Sequence, residues 1–328
     1  MQEIKIHAPV IIPTLNRYVH FKRCLESLER CTGAEQTDVY VGLDYPPSEK
    51  YVEGWNLIDA YLAEKEKKNK FKKLIVFRRD HNCGVGKEGS NSGLLLAEVK
   101  LLYDRYIFSE DDNEFSPNFL VFINKGLELY KEDPKIMGIS GYSYPIVSKK
   151  YKSSKIVAMP QAALWGYGRW FSKKYTYDII GKENYMDSIL FSLKKSFFLL
   201  IKRPYSLNTL LSMKFRNRFY GDSLVCTELV LKDNFFVFPV ISKVRNWGCD
   251  GTGLHSGFSQ NFDKQEIDEN LFFEYGKLDF VKTTDFYKKW RIPGVERLVI
   301  TMVSFVRYIY FRITQKDLFS FYFGKKKQ

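Results

Sequence analysis

The chain has 328 residues, 45% of them hydrophobic and 16% aromatic, enough to bury a full core in one large domain or two closely packed ones. This is the composition of a globular protein, not a disordered one, and its longest uncharged apolar runs, such as LVITMVSFV at 298–306, fall far short of the roughly 20 residues that a spanning helix needs. The 51 Lys and Arg against 38 Asp and Glu leave a formal charge of +13, which favours anionic partners: nucleotides, nucleic acid or an acidic membrane surface.

From the start, short β-rich runs alternate with longer segments of helical period, the signature of an α/β chain built from βαβ units on a mostly parallel sheet. HAPVIIP (7–13) predicts a strand, and TLNRYVHFKRCLESLERC (14–31) a helix with Phe21, Cys24, Leu25 and Leu28 on one face. DVYVGLD (38–44) is a second strand, EKYVEGWNLIDAYLAEKEKK (49–68) a charged helix and KKLIVFRR (72–79) a third strand. KEGSNSGLLLAEVKLLYD (87–104) carries a helix and RYIFSEDD (105–112) is the fourth strand. SPNFLVFINKGLELYKED (116–133) reads as a helix with Ser116 as its cap and Pro117 near the first turn, and PKIMGISGY (134–142) as a strand.

Beyond about residue 150 the alternation weakens. The segment Ser188–Phe219 contains seven Lys or Arg and no acid, and reads as a basic insertion. FFVFPVISKV (235–244) is a further strand. The C-terminal ERLVITMVSFVRYIYFRITQKDLFSFYFGKKKQ (296–328) is basic and aromatic, a pattern that suits a core helix or a helix lying in a membrane interface. Together with the basic insertion it suggests peripheral attachment to anionic lipid. Five cysteines, at 24, 31, 83, 226 and 249, form no CxxC pair and no metal-site spacing, so a reducing compartment is the simplest reading. MQEIKIHAPV shows no charged-then-apolar leader. The expected location is cytoplasmic, peripheral on the inner face of the cell membrane.

Glu110, Asp111 and Asp112 stand side by side at the end of the fourth predicted strand. Like charges in a row repel, and strand ends of an open α/β sheet are where ligands bind, so a cationic group is expected there. The acids either hold a hard divalent cation with phosphates in its shell or form a solvated strand-to-helix turn. Context favours the first reading: PTLNR (13–17) follows strand one, Asp44 ends strand two, and HNCGVGKEGSNSG (81–93) follows strand three, so all four would line one crevice. The last of these loops matches neither GxxxxGK[ST] nor GxGxxG. Its Asn82, Lys87 and Asn91 are placed to reach a nucleotide or diphosphate, or the loop simply caps a helix. Trp165 and Trp170 either stack on a sugar ring or fill a core, with Gly166 and Gly168 beside them suggesting ligand approach. His255 sits in a Gly-rich loop, unlike His7, His20 and His81, which read as structural or surface residues.

VIIPTLNR with RCLESL behind it, VYVGLD, NCGVGKEGSNSG, FSEDDNEFSPNFLVF, ALWGYGRW and VFPVISKVRNWGCDGTGLHSG resemble the nucleotide-sugar glycosyltransferases of the GT-A fold, notably bacterial family 2 enzymes. They are also similar to the Golgi N-acetylglucosaminyltransferase that starts complex N-glycan branching. The likeness covers roughly residues 8–255, and the EDD block with its following xxxxPxF is its most specific part. It implies a Rossmann-like, mostly parallel sheet flanked by helices, with a nucleotide-sugar-binding half at 1–150 and an acceptor-binding, catalytic half at 151–260 that carries the basic insertion 188–219. A helical, membrane-associating segment at 261–328 follows. The resemblance further implies that Asp44 accepts a hydrogen bond from a pyrimidine base, with Pro13, Thr14 and Arg17 framing the nucleotide. Glu110 and Asp111 would hold ribose and sugar hydroxyls, and Trp165 would lie by the donor sugar. Asp112 would bind Mn2+ or Mg2+, with His255 near the metal, which would neutralise the leaving diphosphate as a Lewis acid.

An inverting transferase needs a carboxylate to take the acceptor's proton. Asp222 opens an apolar-periodic helix 17 positions before Pro239; it is a candidate base or a plain N-cap, and Glu228, further along the same helix, is the alternative base. The function expected is a metal-dependent, inverting hexosyl- or N-acetylhexosaminyltransferase moving a sugar from a UDP-sugar to a glycan or lipid-linked acceptor in bacterial surface polysaccharide synthesis. Its rivals are a non-catalytic glycan- or nucleotide-binding module on the same fold, and a nucleic-acid-binding protein. The last lacks any RRM, KH, zinc-knuckle or helix-turn-helix signature, so no nucleic-acid partner is expected.

Overall fold

The uninterrupted apolar runs of the N-terminal half become buried parallel strands. Val10–Thr14 (β1) pairs in parallel with Asp38–Leu43 (β2) and with Arg105–Phe108 (β4), and β2 pairs in parallel with Lys73–Arg78 (β3). Val10, Ile11 and Ile12 have no exposed surface, as strands covered on both faces require. The crossovers carry helices Tyr18–Glu29 (α1), Val52–Lys67 (α2) and Asn91–Lys100 (α3). In this computed structural model, residues 6–84, 89–144, 155–216, 219–252, 266–281 and 294–319 are described.

The strand order β3-β2-β1-β4 has a consequence for ligand binding. From β1 the chain steps outward through β2 and β3, then returns to the other side of β1 with β4. The topological switch point therefore lies between β1 and β4, where open α/β sheets place their ligand crevice outside the carboxyl ends of the strands.

The fourth strand ends at Phe108, four residues earlier than expected. Phe108 is paired with Ile11, the Ser109 amide donates to the Ile11 carbonyl at 3.0 Å, and Asp111 and Asp112 then form a turn. A buried carboxylate needs polar partners, which the interior of a parallel ladder does not supply. The chain continues as Asn113–Phe115 (β5) and Phe119–Leu129 (α4). The N-cap of α4 is Asn118 in place of Ser116, and Ser116 Oγ donates to Asn118 Oδ1 at 2.9 Å, so Ser116 braces the cap residue.

The sheet extends through Ile136–Ser140 (β6), Ile156–Met159 (β7), Tyr167–Trp170 (β8), Phe235–Pro239 (β9) and Leu278–Phe280 (β11), in the overall order β11-β7-β9-β6-β8-β4-β1-β2-β3. β8 is antiparallel to both of its neighbours, β4 and β6. The single strand expected over 235–244 is two: after β9 the chain leaves the sheet, and Val244–Asn246 (β10) pairs antiparallel with β5.

Gly168 in β8 serves packing and not ligand approach. A Cβ there would lie 2.5 Å from Ile123 Cγ2 and 3.0 Å from Leu127 Cδ1, both on α4. Gly168→Ala is therefore expected to lower stability by about 1–3 kcal/mol through overpacking, read as a shifted urea midpoint with an unchanged slope. Trp170 is likewise core, with Nε1 donating to the Leu127 carbonyl at 3.2 Å.

The chain divides into two compact units, and not at 150 and 260. Met1–Ala158, Ala163–Lys173 and Phe236–Asp279 form the first; Met159–Ala162, Lys174–Phe235 and Phe280–Gln328 form the second. β8 and most of β9 are strands of the first unit's sheet, whereas the helical segments build a core of their own. The second unit consists of Thr176–Ile180 (α5), Lys182–Leu190 (α6), Leu193–Lys202 (α7), Pro204–Arg216 (α8), Gly221–Lys232 (α9) and Gly294–Thr314 (α10). The basic segment 188–219 is thus no appendage: Leu199, Leu207, Leu210 and Leu211 are buried with Tyr308 and Phe311 of α10. Arg307 of α10 donates to the Asn208 carbonyl at 2.9 Å and pairs with Asp317 at 2.7 Å. Among the described residues no helix is long and apolar enough to cross a membrane.

Candidate functional site

Residues converge at the switch point between β1 and β4. Thr14, the last residue of β1, donates from Oγ1 to Asp111 Oδ2 at 2.9 Å. Arg17, just before α1, reaches both acids with one nitrogen: Nη2 donates to Asp111 Oδ1 and, at 2.7 Å, to Asp112 Oδ2. Asn246 at the end of β10 donates from Nδ2 to Asp112 Oδ1 at 2.7 Å. The β5–β10 ladder pairs Asn246 with Asn113 and so brings this amide beside the acidic turn. Gly248 follows at close range: a Cβ there would lie 2.0 Å from Asp112 Oδ2, so only glycine fits.

Electrostatically, two buried carboxylates share one guanidinium. Burial pushes the Asp111 carboxyl up, Arg17 opposes that and Asp112 adds to it, leaving a net rise. Burial alone would lower the Arg17 guanidinium, but Asp111 and Asp112 reverse the sign and hold it charged. Among the described residues, Arg17 Nη1 is buried and has no protein hydrogen-bond partner, so donor capacity of the guanidinium remains unspent beside the two acids.

The donor set decides what cation it fits. All four oxygens of Asp111 and Asp112 accept hydrogen bonds from Thr14, Arg17 or Asn246, and among the described residues no three His, Cys, Asp or Glu side chains converge as a metal site. Hard cations such as Mg2+ are commonly held by one or two carboxylates plus substrate phosphates. The residues therefore fit a cation shared with a bound diphosphate, not one held by protein side chains alone. The proposed second metal ligand, His255, lies outside the described residues, as does Lys87.

The other strand ends are organised by Asp44. Its Oδ1 accepts from the amides of Tyr45 at 2.9 Å and Cys83 at 2.8 Å, and its Oδ2 from Gly84 N at 3.2 Å and Asn82 Nδ2 at 3.3 Å. Asp44 and Asn82 thus meet, and the carboxylate is engaged in holding residues 82–84 after β3. Asn91 is buried, with Nδ2 donating to the Gly42 carbonyl at 2.7 Å and Oδ1 accepting from Arg79 Nε at 3.1 Å. It stitches α3 to β2, a packing role that replaces the expected reach toward a nucleotide. Pro13 lies in β1 opposite Gly42, and Glu110 is half-buried, its carbonyl accepting from Ser109 Oγ at 2.8 Å. Trp165 is partly exposed and packs edge-on against Tyr142, with ring centroids 4.8 Å apart.

The two candidate bases belong to the second unit. Asp222 is exposed in the first turn of α9, whose N-cap is Tyr220, so Asp222 is not the cap itself. Glu228 is 2% exposed and accepts from Thr176 N at 3.0 Å and Thr176 Oγ1 at 2.6 Å. Burial pushes the Glu228 carboxyl up, but the hydrogen-bonding groups around it, Thr176 first with Tyr185 and Lys232, together leave it below the usual range. Glu228 therefore anchors the start of α5, a structural role that stands beside its candidacy as the alternative base.

Asn246 and Gly248 were not singled out in the sequence. Their only signal was the run RNWGCDGTG, since neither an Asn nor a Gly marks a site by its type.

No family model matches the chain, and no curated protein matches it. Among solved structures, it is similar to a mannosyltransferase from Pyrobaculum calidifontis determined with GDP-Man and Mn2+, at 12% identity over 69% of each chain and a TM-score of 0.39. It is also similar to S. aureus TarS 1–349, at 12% identity over 98% of this chain and 76% of that one with a TM-score of 0.32. A third likeness is to mouse xyloside xylosyltransferase 1, at 11% identity over 70% and 83% of the two chains and a TM-score of 0.33.

Proposed function

We propose that the chain is a glycosyltransferase that moves a sugar, with inversion, from a nucleotide-sugar to a hydroxyl of a glycan or lipid-linked acceptor. The observation that carries the reading is the Thr14–Arg17–Asp111–Asp112–Asn246 cluster at the β1/β4 switch point, in which Arg17 Nη1 has no hydrogen-bond partner among the described residues. A UDP-sugar is the donor that the sequence resemblance implies, and surface polysaccharide synthesis the setting.

In this reading the acceptor oxygen bonds to the anomeric carbon as the bond from that carbon to the diphosphate oxygen breaks. The bonding pair leaves with the nucleoside diphosphate, and a carboxylate, assigned to Asp222, takes the acceptor's proton. Arg17 supplies a fixed positive charge where the diphosphate's charge develops, in a site that excludes most water. Thr14 and Asn246 hold the two carboxylates in place. Asp112 would share a Mn2+ or Mg2+ ion with the diphosphate, and that ion supplies Lewis acidity when bound.

The test is a panel of UDP-, GDP-, dTDP- and CMP-sugars with Mn2+, scored for nucleotide release and for nucleotide binding by calorimetry. One donor is expected to be hydrolysed slowly, and the Asp112→Asn protein to lose both that turnover and the metal-enhanced binding. Binding without turnover for any donor would leave a non-catalytic module. Salt-sensitive binding to random oligonucleotides with no nucleotide-sugar binding would make it a nucleic-acid protein.

A further inference from the structure

Helix α10 is apolar on the wrong side as well as the right one. Its inner face buries Ser304, Tyr308 and Phe311, and its Arg307 is consumed by Asp317 and by Asn208. Its outer face repeats apolar residues at Val295, Val299, Met302, Val306 and Ile313, all exposed, with Val295 and Ile313 at 77%. The spacings of four, three, four and seven keep these residues on one side of an α-helix. A surface helix of a globular protein ordinarily turns polar residues to that side.

The neighbouring helix α7 continues the apolar surface. Leu193, Phe197, Phe198 and Ile201 are exposed, with Ile201 at 67%. The two helices touch: Phe197 and Phe305 rings lie 6.2 Å apart, and Arg297 Nη2 donates to the Ile201 carbonyl at 3.2 Å. Large contiguous apolar patches are rare on free soluble surfaces and mark interaction sites. The charges around this one are predominantly positive. Lys194, Lys195 and Lys316 are exposed and Lys202, Arg297 and Arg312 partly so, while the whole of 188–219 contains no acid and α10 contains one, Glu296.

We propose that the α7–α10 face of the second unit lies against an anionic phospholipid bilayer, with the apolar stripe at the level of the acyl chains and the lysines and arginines among the headgroups. The charge pattern selects this occupant. A second copy of the chain would set the same cations against each other, whereas an anionic bilayer supplies the opposite charge across the whole face. Neither helix is long and apolar enough to span, so the attachment is in the plane of the interface and reversible. The proposal does not depend on the transferase reading, since the binding needs no sugar.

The full chain is floated with vesicles of phosphatidylcholine containing phosphatidylglycerol, and with vesicles of phosphatidylcholine alone. It is expected to float with the first and not the second, and to be released by raised salt. Ile201→Glu combined with Val299→Glu, both at exposed positions, is expected to reduce flotation at least about tenfold while circular dichroism and the urea midpoint stay unchanged. Failure of the wild type to float with anionic vesicles overturns the proposal. So does equal flotation by the double variant, or a dimer that the same substitutions dissociate in a protein that ignores vesicles.

Discussion

Arg17→Ala is expected to lower stability by about 3–5 kcal/mol, because it strands two buried carboxylates that share its guanidinium. The same substitution in an Asp111→Asn background should cost markedly less, since one of the two stranded charges is already gone. A double-mutant cycle on urea unfolding measures this, and a coupling below about 0.5 kcal/mol would remove the ion pair from the account of the site. Turnover should fall about 10²–10³-fold in variants that still fold, the size typical for loss of one preorganised charge-stabilising donor. Arg17→Lys keeps the charge but not the fork, so it should restore stability more fully than turnover.

The acid side of the stability curve gives a second readout with a definite sign. Burial raises the Asp111 carboxyl above its unfolded value of about 3.9, so the folded state binds the proton more tightly than the unfolded one. Asp111 is then at its least costly below about pH 3.9, and its penalty grows as pH rises through the folded value. Arg17 opposes that rise in the wild type. Removing Arg17 lifts the Asp111 value further, and the stability gap between wild type and Arg17→Ala should narrow as pH falls. Metal binding supplies a third readout. Free Arg17→Ala protein should take up Mn2+, seen by electron paramagnetic resonance, more readily than free wild type, whose Asp112 Oδ2 is held by Arg17.

How much of this the sequence disclosed follows from the range of the forces involved. The βαβ alternation, and Phe21, Cys24, Leu25 and Leu28 on one buried face of α1, were legible because hydrophobic periodicity is a local signal. The EDD turn and PTLNR were legible as partners because parallel strands place their carboxyl ends on one edge. That the cation opposite Asp111 and Asp112 is Arg17 was not legible, since 94 and 95 residues separate the pairs and only the β1–β4 register sets their distance. Asn246 meets Asp112 through a β5–β10 pairing that a single strand over 235–244 had concealed. Asn91 reads as a polar loop residue in sequence, yet its amide is consumed by Gly42 and Arg79. The basic segment looked like an insertion because its lysines dominate the composition, while its leucines, at helical spacing, form the second unit's core.

The sharpest division between a working transferase and a binding module concerns the two carboxylates of α9. Asp222→Asn keeps the side chain's shape in an exposed first turn but cannot accept a proton, so fold and donor binding should survive. Turnover should fall about 10²–10⁴-fold, the usual contribution of a general base. Glu228→Gln should behave in the opposite way. Its carboxylate is buried against Thr176 and pairs with Lys232 at 3.1 Å, so loss of the charge should cost about 1.5–3 kcal/mol of stability with turnover per folded molecule retained. Because the folded Glu228 carboxyl lies below its unfolded value of about 4.3, it contributes stability above that pH which is lost as pH falls through the folded value. The Gln variant should lack that part of the acid limb, a signature that a purely catalytic residue would not produce. Normal turnover by Asp222→Asn would remove Asp222 as the base, and a dead but fully stable Glu228→Gln protein would show that Glu228 acts in the chemistry after all.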